Sequence, residues 1–148
     1  MLKIIHHGLD STLGGIETYL NKIYSYIDRS NFHFDFIGNN NICFYDEFRS
    51  MGSNFFKIDS RRESLLKYRK QLNDLFKLNY FDILHCHLNT LSDIDPILAA
   101  LKSNCKVIVH SRSAGMENSI FTNVLHNINF LRLPRKSITM IAVSNEAV

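Results

Sequence analysis

The sequence predicts an α/β fold, a parallel sheet with helices packed on both of its faces. Two observations carry this. Short apolar runs alternate, almost throughout the chain, with longer stretches whose apolar residues recur every three or four positions. Parallel strands need a crossover between them, and an amphipathic helix supplies it. The 148 residues are also 45% hydrophobic, with only two prolines and six glycines. That length and composition suit one domain with a proper core, residues 1–148.

The elements follow in order. Leu2 to His6 (LKIIH) reads as a first strand. Ile16, Tyr19, Leu20, Ile23, Tyr24 and Ile27 then mark one apolar helix face, with Glu17, Asn21, Lys22 and Asp28 expected on the solvent side. Phe32 to Ile37 (FHFDFI) alternates as a second strand. Tyr45 to Met51 suits a short helix ending at Gly52, and Asn54 to Ile58 a third strand. Arg61 to Leu78 has helical spacing through Leu65, Leu66, Tyr68, Leu72, Leu75 and Phe76. Phe81 to Cys86 is a continuous apolar strand, and Leu91 to Lys102 a helix whose start is broken at Asp95-Pro96. Lys106 to His110 is a fifth strand, Glu117 to Leu133 a helix, and Thr139 to Val143 a sixth strand.

The totals exclude several classes. A net charge of +3 permits contact with phosphates or an anionic membrane surface without demanding nucleic acid. Cys43, Cys86 and Cys105 are scattered and have no C-x-x-C spacing, which fits a reducing cytoplasm. No apolar stretch approaches the roughly 20 residues that span a bilayer. A serine-hydrolase elbow, G-x-S-x-G, is absent.

In an open parallel sheet, ligands bind beyond the carboxyl ends of the strands. His6 and His7, Gly14-Gly15, His85 and His87, and His110 to Arg112 fall at those ends, and Ser144 and Asn145 follow the sixth strand. Gly14-Gly15 opens a helix, whose unpaired N–H groups and partial positive charge can seat a phosphate. The pattern is neither G-x-G-x-x-G nor a P-loop, so a tight turn into the helix, with Glu17 in its first turn, stands beside the cradle. His85-x-His87 places two imidazoles on one strand face, but local spacing supplies no third ligand, and no metal is assigned. Asp93 and Asp95 are expected to cap the following helix. Arg61, Arg62, Lys67, Arg69 and Lys70 form a solvated helix face that could meet acidic lipid headgroups.

Five segments, in this order, resemble the N-terminal domain of retaining GT-B glycosyltransferases of bacterial capsule and exopolysaccharide synthesis: GGIETYLNKIY, FDFIG, FDILHCHL, VIVHSRSAG and IAVSNEAV. The resemblance implies a Rossmann-like domain that forms one half of a GT-B fold, on the acceptor side. The expected donor-binding C-terminal domain is absent from the chain, so activity of the isolated chain is not expected. It implies a nucleotide-sugar donor as substrate, a glycan or lipid-linked acceptor, no cofactor and no nucleic acid. It also implies a cytoplasmic enzyme, with peripheral contact at the inner membrane face allowed. By resemblance, Gly14 and Gly15 approach the donor diphosphate, and His110 lines the donor sugar pocket as the catalytic candidate. His87, Asn89, Ser111 and Arg112 lie toward the acceptor, and Ser144 closes the last strand. Many relatives carry a second histidine where Arg112 stands. Two other classes remain open on this sequence: a sugar-nucleotide epimerase of the same fold, and a binding module without catalysis.

Overall fold

The structure is a computed structural model, and it describes residues 1–38, 41–112 and 119–142. Six strands form one all-parallel sheet: β1 (Leu2–His7), β2 (Phe32–Ile37), β3 (Phe55–Phe56), β4 (Ile83–Leu88), β5 (Lys106–Ser111) and β6 (Ile138–Ala142). Their spatial order is β3-β2-β1-β4-β5-β6. Between them run α1 (Gly15–Tyr26), α2 (Tyr45–Ser50), α3 (Leu65–Leu78), α4 (Asp95–Lys102) and α5 (Ile120–Arg132), with a 3-10 turn at Arg135–Ser137.

Strand alternation sorts the sheet into two cores. On one face Phe34 and Phe36 of β2 meet Leu20 and Tyr24 of α1 and Phe48 of α2. The aromatic rings stack, Tyr24 on Phe34 and Phe36 on Phe48, both with centroids 4.5 Å apart. On the other face Ile5, Leu84, Val107 and Val109 pack against Leu72 and Phe76 of α3 and Ile97 and Ala100 of α4. Near-complete burial of such side chains contributes about 1.5–3 kcal/mol each.

The sequence expectations shift at several edges. The third strand shrinks to Phe55–Phe56, because only Phe36 and Ile37 of β2 offer it partners. The helix expected from Arg61 begins at Leu65, where the Ser64 hydroxyl accepts the Lys67 N–H and caps the first turn. The helix expected from Leu91 begins at Asp95, with Pro96 in its first turn and Asp93 Oδ1 accepting the Asp95 N–H at 2.9 Å. β4 extends past Cys86 through His87 to Leu88, paired throughout with β5. The starting residue Glu117 of the last expected helix, and Val143 of the last strand, lie outside the described residues.

One surface expectation is corrected, and another gains detail. Glu17 is 3% exposed and does not face solvent. Its carboxylate folds back, and Oε1 accepts the Asp10 N–H at 2.9 Å. The basic group from Arg61 to Lys70 is solvated as expected, with Arg62, Lys67 and Lys70 exposed, and most of its members also pair with acids. Arg69 Nε lies 2.9 Å from Asp95, Arg61 3.5 Å from the same carboxylate, Lys67 2.5 Å from Asp59 and Lys70 3.4 Å from Asp74.

Candidate functional site

The strand order reverses direction between β1 and β4, and the crevice above their carboxyl ends is where open α/β sheets bind ligands. Gly8 makes the crevice tight. It has φ +101°, and a Cβ there would overlap the His87 carbonyl oxygen. The chain leaving β1 therefore crosses directly against the β4 backbone, which only glycine permits.

The entry to α1 separates the two glycines. Gly14 is the N-cap with extended backbone, φ −140°, and no side chain caps the helix. A Cβ at Gly14 would stand 2.9 Å from Glu17 Oε2, so this glycine admits the folded-back carboxylate. Gly15 is different. A Cβ there would meet nothing within 4 Å, and the residue is exposed. Neither glycine has positive φ, so a left-handed turn does not explain them. Gly15 instead leaves open space at the first turn of α1, where N–H groups lack intrahelical partners.

Arg112, just past β5, fills the side of this opening. Its Nη2 donates to the Gly15 carbonyl at 2.8 Å, and its guanidinium carbon lies 4.8 Å from the centre of the Tyr19 ring. Its Nη1 is 3.4 Å from His110 Nε2, a long contact for a hydrogen bond.

Beneath Tyr19 lies a row of imidazoles. Register places His6 beside His85 and His87 beside His110, and all four occupy the sheet face that α1 covers. His6 is 1%, His87 2% and His110 5% exposed. His6 Nδ1 and His87 Nε2 are 3.3 Å apart, and the His85 ring stacks on that of His110 at 5.5 Å. Tyr19 meets His87 and His110 edge-on. Burial lowers all four pKa values. It takes His85 down to about 4, helped by His110 and Arg112, and takes His6 and His87 well below the ordinary range, helped by neighbouring histidines. Burial and Arg112 lower His110. The row is neutral at pH 7, and Arg112 carries the positive charge at the opening.

The residues singled out in the sequence divide into two levels. Gly14, Gly15 and Arg112 surround the opening of α1. His110 and His87 lie in the buried layer below it, within reach of Arg112 and His6 respectively. Asn89 is exposed in the bend after β4, and Ser111 is half-buried on the opposite sheet face from His110. Ser144 and Asn145 lie outside the described residues. Tyr19 and Glu17 were not singled out as site residues. Tyr19 was legible as the residue one helical turn past Gly15, and Glu17 as the residue three and seven places before the buried Leu20 and Tyr24. His7 turns to the other face, its Nδ1 3.5 Å from Cys86 Sγ. A second concavity of about 300 Å³ lies between the loops after β1, β2 and β3, lined by Asp10, Ser11, Gly38 and Lys57.

A doubly wound parallel sheet of this order, with polar groups gathered at its switch point, is a Rossmann-like α/β domain. In fold it is similar to MurG from Acinetobacter baumannii, a GT-B glycosyltransferase. The TM-score is 0.65 at 9% identity, over 100% of this chain. The chain spans 43% of the length of that MurG chain. No family model and no curated protein sequence matches it. The likeness is one of fold, to a GT-B domain.

Proposed function

We propose that this chain is the acceptor-side domain of a GT-B glycosyltransferase, which moves a sugar from a nucleotide-sugar donor to a glycan or lipid-linked acceptor. The observation that carries the reading is the open, uncapped start of α1 at Gly15 with the Arg112 guanidinium beside it. Donors that are fixed before reaction stabilise charge developing on a leaving diphosphate. The α1 N–H groups supply partial positive charge and Arg112 a full one. His110 acts as the buried neighbour of Arg112, its Nε2 3.4 Å from the guanidinium whose shorter bond is to the Gly15 carbonyl. His87 and Asn89 stand at the β4 end, the first buried and the second exposed, and in our reading the acceptor approaches from Asn89.

Surface-polysaccharide synthesis and retention at the anomeric carbon rest on the sequence resemblance. A lipid-linked acceptor is supported by α5, whose Ile120, Phe121 and Leu131 are exposed, with Arg132 at its end and Arg135 and Lys136 just beyond. Such a face suits the headgroup layer of an anionic membrane. Among the described residues no helix is long and apolar enough to cross a membrane. The testing experiment uses the longest natural form of the protein that carries this domain. It is assayed with a panel of labelled nucleotide sugars and lipid-linked acceptors, in parallel with amide-shift mapping of nucleoside diphosphates on this chain. Transfer, with shifts centred on Gly15–Thr18 and Arg112, supports the reading. Absence of both removes it.

A further inference from the structure

The imidazole row has a geometry that a phosphate cradle does not require. His6 comes from β1 and His85 and His87 from β4, yet one ring nitrogen of each lies within 4.8 Å of the other two. Two of these rings approach at 3.3 Å, His6 Nδ1 to His87 Nε2. Zinc–imidazole bonds of about 2.0–2.1 Å at a tetrahedral angle put two ligand nitrogens about 3.3–3.4 Å apart. The pair already has that edge length. His85 is half-buried, its ring centroid 4.1 Å from that of His87 and 5.2 Å from that of His6, and its nitrogen has to close from within 4.8 Å to complete the set.

A hydrogen bond is the other account of the 3.3 Å contact, and it leaves the pair unsatisfied. A neutral imidazole carries one N–H and one lone pair. If His6 Nδ1–H donates, the His87 proton sits on Nδ1. If His87 Nε2–H donates, the His6 proton sits on Nε2. Both of those nitrogens are buried without a partner, as is His85 Nε2. Either tautomer strands one N–H in the interior, and ligation through His6 Nδ1 and His87 Nε2 leaves both of those back-side N–H groups there, a cost that the metal–nitrogen bonds must offset.

We infer that His6, His85 and His87 form a binding site for a divalent transition-metal ion of the zinc class, tying β1 to β4 beneath the α1 opening. Three neutral nitrogen ligands, with no thiolate or carboxylate among them, select borderline ions such as zinc or cobalt over magnesium or calcium. The rings need no deprotonation at pH 7, since burial already keeps them neutral. Two features weaken the site. The ring N–H groups behind His6 Nδ1 and His87 Nε2 lack acceptors, and Arg112 places a positive charge nearby. Each missing acceptor lowers metal affinity by about 10- to 100-fold, which moves the expected dissociation constant into the micromolar range. The site is independent of the transferase reading, because its readout is metal binding by this chain alone.

The test is a titration of the EDTA-treated, dialysed chain with Co²⁺, followed by visible absorption, and with Zn²⁺, followed by calorimetry and by displacement of cobalt. One equivalent should bind, with ligand-field bands of a four-coordinate, nitrogen-rich site. His85→Gln should weaken binding by at least about 10-fold, the loss that follows even from removing a group behind a ligand. His6→Gln and His87→Gln should do the same wherever they fold. His33→Gln, which removes the imidazole paired with Asp35 on another part of the sheet, should change nothing. In the unsubstituted chain, Zn²⁺ should shift the ring signals of His6, His85 and His87 together, a result that needs no variant to fold. Absence of saturable binding below millimolar metal overturns the site. So does binding that His85→Gln leaves unchanged, or that His33→Gln removes.

Discussion

Acid should destabilise the metal-free domain well before its carboxylates titrate, because its histidines are buried neutral. His85 gives the magnitude. Burial, His110 and Arg112 hold it down to about 4 in the folded chain, against an ordinary value near 6.5. A histidine with a depressed folded pKa contributes its full stability above the unfolded pKa. That stability is lost as pH falls, because the unfolded chain takes up a proton that the folded chain refuses. The window therefore opens at about pH 6.5 and closes near pH 4. From His85 alone the loss is about 2 kcal/mol by pH 5 and about 3 kcal/mol once the window is crossed. His6, His87 and His110 shift in the same direction and add to it. Asp28, Asp59 and Asp82 are held low by their hydrogen bonds, and they weaken the fold only below about pH 4. Urea unfolding in EDTA at about pH 7, 6 and 5 isolates the histidines. His85→Gln should flatten the profile by one histidine's share. Constant stability from pH 7 to 5, or a His85 ring signal titrating near 6.5, would refute the buried-neutral account.

Three substitutions probe the crevice. Gly15→Val should change stability by no more than about 0.5 kcal/mol, since its Cβ meets nothing in the chain. It should weaken nucleoside-diphosphate binding at least about 10-fold by covering the N–H groups of α1; chemical unfolding beside a binding titration checks both, and unchanged binding counts against the cradle. Gly8→Ala should destabilise by about 3 kcal/mol or more, from positive φ and overlap with the His87 carbonyl, read as a lower urea midpoint. His110→Ala should lower transfer in the longest natural form through misplacement of Arg112, and it should also destabilise by about 1–3 kcal/mol because the ring is buried. A stability loss with unchanged kinetics would make His110 purely structural.

Much of the fold was legible because its elements are locally periodic. Phe32–Ile37 alternates in the sequence and is β2 in the structure with the same bounds. The apolar stripe from Ile16 to Tyr24 faces the aromatic core as α1. The site was legible only in parts. His85 and His87 share a face by simple alternation, but the third imidazole, His6, lies 79 residues from His85. It joins them only because β1 and β4 are neighbours in the sheet, a fact of topology that no local pattern carries. Glu17 was misread for another reason. Its spacing to the buried Leu20 and Tyr24 is i, i+3, i+7, so it stands on their side of the helix, and only its charge argued for solvent; the Asp10 N–H meets its carboxylate there. Burying a charge this way requires a hydrogen-bond partner, and the partner lies outside the helix.

That same carboxylate explains why two glycines stand at the mouth of α1 and not one. Glu17 lies in the first turn, where a negative charge is favourable to the helix but would repel an incoming phosphate. Turned outward, it would contest the opening. Folded back, it keeps its favourable place near the helix start and is held 2.9 Å from the Asp10 N–H. The fold-back needs the volume that a Cβ at Gly14 would occupy. Gly14 thus stores the competing charge, and Gly15, open on its other side, leaves the approach clear. With the histidine row neutral beneath, the field at the opening is set by Arg112 and the α1 N–H groups. An alanine at position 14 should push the Glu17 carboxylate toward the opening and weaken anion binding there. Glu17→Gln in the Gly14→Ala background should restore much of the binding, because the amide keeps the volume and loses the charge. Failure of that rescue, with the fold intact by circular dichroism, would mean that the lost space at position 14 matters more than the displaced charge.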